Sequence, residues 1–278
     1  MSTATAARAP ALLRVLAHDL RWAIVRLLAG GDMRVREVVA ATGQAPNLIT
    51  YHLAQLRAAG LVWVRRSTAD GRDSYYALDL DAIDAAMQEV SREIHPGLSG
   101  DSTHDATARP PTGASRVLFI CTGNSSRSPM AEGWLGHLAG SRVMAASAGI
   151  APVALHPLAV AAMAEHGVDI SGHQATHVGA FAGQSFERVI TLCDRARETC
   201  PDLPPAAAAA HWSVPNPAEA HPADLDAFRA TARELHTRVR YLLPLLGIPG
   251  RSTLRRRATS RSRTMQRARP PRQGSPPP

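Results

Sequence analysis

The 278-residue chain holds three cysteines, and one of them, Cys121, stands between an apolar run and a loop of small residues in FICTGNSSRSPMAEGW, Phe119 to Trp134. RVLFI, Arg116 to Ile120, suits a buried parallel strand. Thr122, Gly123, Asn124, Ser125 and Ser126 follow as a loop, then comes Arg127, and Ser128-Pro129 opens a helix. A strand, a small-residue loop and a helix N-terminus make an anion cradle, because successive backbone N–H groups converge and the helix dipole adds partial positive charge. A cysteine placed there has its thiolate stabilised, and the thiolate is the nucleophile. The planar fork of Arg127 grips two oxygens of a tetrahedral oxyanion. The chemistry indicated is attack of a thiolate on a bound oxyanion. With about one residue in nine an Arg, the bare Cys-x5-Arg spacing is weak. Its context, including SAG at 147–149 ending the next strand, makes it specific.

Cys193 closes a second apolar strand, VITLC, and Cys200 lies seven residues later beside Pro201, with the polar DRARET between them. The carboxyl ends of parallel strands line the ligand crevice of an α/β sheet, which places Cys193 for chemistry. Two small core residues is the alternative reading of this pair.

The rest of the chain must position these groups. Its length suits about two domains. A composition of 45% hydrophobic and 19% charged residues is that of a soluble globular protein. No apolar run is long enough for a membrane span, and three cysteines are too few for a secreted disulfide framework, so the expected location is cytoplasmic. The net charge of +8 comes from residues 251–278, which carry nine Arg and no acid and leave the remainder close to neutral. The divisions expected are an N-terminal domain over 1–94, a flexible linker over 95–115, an α/β domain over 116–248 and a disordered basic tail over 249–278.

The N-terminal part reads as helices followed by a hairpin. Leucines from Leu12 to Leu28 recur at helical spacing, VREVVAATG stops at Gly43, and Pro46 suits the first position of the next helix. LVWVRR and SYYALDL alternate as strands around Asp70-Gly71. This is the plan of a winged helix-turn-helix, mainly α with a β-hairpin wing. Its second helix would carry Asn47, Thr50, Tyr51 and Arg57 to the major groove, while Arg65, Arg66 and Arg72 on the wing reach phosphates. VREVVAATGQAPNLITYHLAQLRAAGLVWVRR followed by GRDSYYAL resembles the ArsR-type repressors over residues 10 to 92, with His52 to Val62 as the specific core. The resemblance implies operator DNA of an arsenic-resistance operon as partner and a homodimer through this domain. Residues 1–120 hold no Cys to bind arsenite, and His52 reads as a packing residue. Asp79, Asp81, Glu89, Glu93 and His95 read as a solvated acidic face, not a metal site.

Residues 116–248 resemble the low-molecular-weight phosphotyrosine phosphatases, an α/β fold with a parallel sheet, and within them the thioredoxin-coupled arsenate reductases. FICTGNSSRSPMAEGW, ASAGI, GVDISGH, VITLCDRARETCPDLPP and HWSVPNPA carry the match in order. The resemblance implies that Cys121 attacks arsenate, Arg127 binds its oxygens and Ser128 hydrogen-bonds the Cys121 thiolate. It implies that Cys193 then attacks the arsenic adduct and that Cys200 moves the disulfide outward to Cys193–Cys200 for reduction by thioredoxin. Asn124, Glu132 and Ser147 fall on potassium-binding positions of some of these reductases, although Thr176 stands where a fourth acid is expected. Asn216 occupies the position of the phosphatases' general-acid Asp; Glu219 and Asp202 are nearby in sequence. Two other readings stay open: a phosphatase joined to a regulator, and a pure regulator whose second domain is a weakened sensor.

Overall fold

The computed structural model describes residues 9–69, 71–95, 115–200, 203–220 and 224–248. Residues 96–114 of the expected linker, the basic tail, Asp70 and Asp202 lie outside these. The leucine-rich start forms two helices, α1 (Ala11–Leu16) and α2 (Asp19–Leu28), with the His18 ring accepting from Leu20 N at 3.2 Å to cap the second. Helix α3 (Val35–Thr42) ends on Gly43 at φ 66°, a left-handed C-cap that glycine adopts without cost, and α4 (Pro46–Ala58) starts on Pro46. The hairpin pairs β2 (Val62–Arg66) with β3 (Ser74–Leu78) antiparallel. A two-residue strand β1 (Met33–Arg34), too short to show in a residue pattern, extends it to the order β1-β3-β2. Helix α5 (Leu80–Ile94) follows. Ile24, Val38, Ile49, Leu53 and Leu56 are fully buried beneath these elements.

The second domain is a parallel sheet, β5-β4-β6-β7, made of β4 (Ser115–Cys121), β5 (Val143–Gly149), β6 (Phe186–Thr191) and β7 (Ala206–His211). Between them run α6 (Arg127–Ala139), α7 (Pro157–Ala164) and α8 (Asp194–Thr199), and α9 (Leu225–Leu242) closes the domain. Val117 to Ile120 of β4 are all fully buried, as their unbroken apolar run requires of a central strand. Trp134 of α6 ties this core to α9 through Nε1–H donated to Ala232 O at 2.9 Å. The chain passes from β4 to β5 on one side and then returns to β6 on the other, so the topological switch point lies between the carboxyl ends of β4 and β6. Cys121 is the last residue of β4, and Cys193 follows β6 by two residues.

The domains meet through buried charge. Asp32, 6% exposed, accepts from Arg238 Nη1 and Nη2 at 2.9 and 3.0 Å and from Ser213 N at 2.7 Å. The Arg238 guanidinium lies 5.3 Å from the Trp63 ring of the first domain and 5.7 Å from Trp212 of the second.

Candidate active site

The loop after Cys121 is held by its own carbonyls. Cys121 O, Thr122 O, Gly123 O and Ser125 O accept from the N–H groups of Ile150, Ala151, Val153 and His156 at 2.8–3.2 Å. In a trans peptide the N–H points opposite to the C=O, so tying these carbonyls outward turns the following N–H groups toward the cysteine. Asn124 N–H reaches Cys121 Sγ at 3.2 Å, and Ser128 Oγ stands 3.0 Å from the same sulfur. Asn124 has φ 48°, the only positive value outside glycine among the described residues. Asn tolerates that region better than most residues, and four contacts hold its side chain. Its Nδ2 donates to Ser128 Oγ (3.0 Å) and Ser147 Oγ (2.9 Å), while its Oδ1 accepts from Thr176 N (2.8 Å) and faces His173 Nε2 (3.2 Å). Gly149 lies against the loop so closely that a Cβ there would come 2.7 Å from Thr122 O and 2.9 Å from Asn124 N.

Arg127 is the first residue of α6 and is buried. Its Nη1 donates to Val214 O at 3.0 Å, while its Nε is buried without a partner among the described residues, leaving a donor for an anion. Ser126, the N-cap, makes no side-chain bond to the helix, so the first N–H groups of α6 also remain for a ligand.

Cys193 caps α8, its sulfur accepting from Ala196 N at 3.4 Å, and sits 3.2 Å from Thr122 Oγ1. The two strand-end thiols thus share one small loop. Burial pushes the Cys193 thiol up from its ordinary value; Arg127 opposes this, while Cys121 adds to it. Cys200 is the C-cap of α8 and is half-buried. All three cysteines are free thiols here.

Asn216 caps the turn Pro217–Glu219: its Oδ1 accepts from Ala218 N at 3.3 Å, and its Nδ2 donates to Glu219 at 3.0 Å. It lies two residues beyond Val214, whose carbonyl holds Arg127. The candidate potassium residues come together through direct contacts with one another. Ser147 Oγ donates to Glu132 Oε2 at 2.6 Å, and His173, which spacing did not single out, bridges the acceptors, with Nδ1 3.4 Å from Glu132 and Nε2 on Asn124. Ser147 Oγ, Asn124 Oδ1 and Glu132 Oε2 are engaged in these direct contacts. Thr176 contributes only its N–H, its hydroxyl turning to Gln174 O.

On the first domain, Asn47, Thr50, Tyr51 and Arg57 are exposed on α4, and Arg66 and Arg72 are exposed on the wing. Arg65 departs from its expected place at phosphates. It donates to Ser213 O, lies 3.4 Å from Glu234, and stacks its guanidinium 4.6 Å from the Trp63 ring. The second domain's acceptors claim it. His52 is buried in α4, tilted against His18 at 4.4 Å. The acidic set divides: Asp79 caps α5 through Ala82 N at 2.9 Å, Asp81 pairs with Arg240 at 2.5 Å, and Glu89 and Glu93 are exposed. Among the described residues no group of three or more His, Cys, Asp or Glu could hold a metal ion, and no helix is long and apolar enough to cross a membrane.

The pattern of the low molecular weight phosphotyrosine protein phosphatases matches residues 116–257, and that of the bacterial regulatory proteins of the arsR family matches residues 18–63. Arsenate reductase 2 of Staphylococcus epidermidis is 41% identical over 102 residues, covering 37% of this chain and 78% of the relative. The arsenate reductase of Bacillus subtilis is 41% identical over 104 residues, covering 37% and 75%. Among solved structures, an arsenate reductase in the oxidized state overlays with a TM-score of 0.44 at 30% identity, covering 48% of this chain and 98% of that one. The chain belongs to the low-molecular-weight phosphotyrosine protein phosphatase family, beside its arsenate reductases, and carries an ArsR-family regulatory domain ahead of that fold.

Proposed function

We propose that this chain reduces arsenate to arsenite by a three-cysteine relay and, through its first domain, binds operator DNA of an arsenic-resistance operon. The observation that carries the reading is the placement of the thiols: Cys121 inside an oxyanion cradle, Cys193 against Thr122 of the same loop, and Cys200 half-buried at the far end of α8. The Cys121 thiolate attacks arsenic, and an arsenate hydroxyl takes up a proton from solvent and leaves as water. The Cys193 thiolate then attacks Cys121 Sγ. The sulfur–arsenic pair of electrons passes to arsenic, arsenite departs, and Cys121–Cys193 is a disulfide. Cys200 attacks Cys193, forming Cys193–Cys200 and freeing the Cys121 thiolate, and a dithiol such as thioredoxin returns two electrons. Cys193 and Cys200 support a reductase over a phosphatase, which needs only the first thiol.

The same reading takes the protein as cytoplasmic and as a homodimer through its first domain, since one winged helix reads only a half-site. Leu13 on α1 and Met87 and Ile94 on α5 are 43%, 48% and 68% exposed, apolar groups suited to pairing with a second copy. Full-length protein with arsenate, thioredoxin, thioredoxin reductase and NADPH should consume NADPH in proportion to arsenate. Absence of consumption, with thioredoxin reductase shown to be working, would remove the reductase reading.

A further inference from the structure

A disulfide between Cys193 and Cys200 cannot form on the helix that separates them. An α-helix rises about 1.5 Å per residue, so its two flanking cysteines stand about 10 Å apart. Disulfide-bonded Cα atoms lie roughly 4.4–6.8 Å apart. Helix α8 must unwind when the relay reaches its last disulfide. This step rests on the relay proposed above.

The first domain holds that helix. Thr68 N–H and hydroxyl both donate to Asp194 Oδ2, at 2.6 and 3.1 Å. Ser67 Oγ and Tyr75 Oη donate to Glu198 Oε1 at 3.0 and 2.9 Å, and Arg197 donates to Glu37 at 3.3 Å. Asp194 is 2% exposed; its other oxygen accepts from Ser213 Oγ at 2.7 Å and faces His211 Nε2 at 3.2 Å. Beside them Arg65 is bound to Ser213 O and Glu234. Ser67 and Thr68 follow directly on β2, at the tip of the wing. An N–H, two hydroxyls and a guanidinium are what a wing offers to phosphate oxygens. Here carboxylates of the second domain occupy them.

We propose that the second domain is a redox-released cap on the DNA-binding wing. In the dithiol state α8 presents Asp194 and Glu198 as stand-ins for phosphates. Formation of Cys193–Cys200 unwinds α8, withdraws both carboxylates and frees Ser67 and Thr68 at the tip of the wing for DNA. Coupling of this kind is reciprocal, so bound DNA favours the disulfide state to the same degree.

The test uses the full chain with Cys121→Ser, which leaves Cys193 and Cys200 as the reacting pair. Diamide takes two electrons and two protons from them, becoming the hydrazine, and peptide mass mapping verifies the bond. Binding to a mixed-sequence 30-base-pair duplex is followed by fluorescence anisotropy against salt. The disulfide form should bind about threefold tighter or more, with a log–log salt slope steeper by about 0.9 once Arg66, exposed on the same wing, reaches a phosphate. Amide exchange over residues 62–78 should quicken, and dithiothreitol should reverse all three changes. Glu198→Ala, which loosens the cap without touching a thiol, should move the dithiol form toward the disulfide form. A verified disulfide that leaves affinity, slope and exchange unchanged overturns the cap while the relay stands, as wild-type arsenate turnover would show. If diamide makes no Cys193–Cys200 bond, α8 does not open, and the cap falls together with the relay.

Discussion

Cys200 differs from the other two thiols in being half-buried and at the outer end of a helix. Replacing it by Ser should allow one turnover and then stall the enzyme as the Cys121–Cys193 disulfide, read by peptide mass spectrometry after arsenate treatment. Undiminished steady-state turnover would take Cys200 out of the mechanism. The same variant isolates the second step. Burial holds the Cys193 thiol above its ordinary value, so little thiolate is present at neutral pH. The single-turnover rate of disulfide formation should therefore rise with pH through the range above 7, and a flat profile would mean that Cys193 is not the attacking group. By resemblance Asn216 takes the place of a phosphatase's proton donor, and its amide is committed to capping a turn and to Glu219. Lost general-acid help costs typically about 10²–10⁴-fold. Wild-type activity on aryl phosphates should be weak, and Asn216→Asp should raise it by about tenfold or more without a matching gain on arsenate. Brisk phosphatase activity indifferent to this change would sink both the role given to position 216 and the preference for a reductase. The cradle of Cys121, Asn124, Arg127 and Ser128 was legible because strand, loop and helix lie contiguous in the chain. His173 was not, since it reaches Asn124 across 49 positions and no spacing rule joins them.

At the scale of elements, the cradle depends on how closely β5 runs beside the loop. The SAG sequence signals a strand end, but only the packed structure says why the glycine is there. A Cβ on Gly149 would meet backbone atoms of Thr122 and Asn124, which cannot swing aside as a side chain does. Gly149→Ala should cost roughly 1–3 kcal/mol of stability, the usual range for overpacking. It should also widen the loop, weakening inhibition by inorganic phosphate, and phosphate inhibition equal to wild type would contradict the cradle described. Helix α8 has its own electrostatic support. Burial alone would raise the Asp194 carboxyl, but hydrogen bonds from His211, Thr68 N–H and Ser213 outweigh it and hold the group at about 2. A carboxylate depressed in the folded state stabilises it above its ordinary value, near 3.9, and that support fades as pH falls toward 2. Amide exchange in the wing should stay constant from pH 7 to 5, once corrected for intrinsic rates, and lose protection only below about 4. Loss of protection already near pH 6 would mean that a group other than Asp194 holds the wing. DRARET, in the sequence only a polar connection between two cysteines, is a helix because Cys193 caps its start and the first domain grips its acids.

The helix order, the wing and the parallel sheet could all be read locally, from turn residues, apolar runs and helical spacing, but the joint between the domains could not. Asp32 and Arg238 lie 206 positions apart, and nothing near either announces a partner. The pair joins β1's approach to α9, with side chains 3% and 11% exposed, and Arg238 is flanked by one tryptophan from each domain. Removing one member of a buried pair leaves the other charge uncompensated, typically about 3–5 kcal/mol. Arg238→Met keeps the apolar contact with Trp63 and Trp212 but strands Asp32, which would retain only the Ser213 N–H. In wild-type protein the two domains should melt as one calorimetric transition, because neither can open without exposing this charge. Arg238→Met should split the trace in two, with the first domain melting earlier, and Asp32→Asn added to it should restore part of the loss by removing the stranded charge. The double-substitution cycle isolates the pair from other effects on packing, provided the single variants create no new contacts. A single, unshifted transition in Arg238→Met would show that the domains are held by something other than this pair, and the wing's grip on α8 would then be the next contact to test.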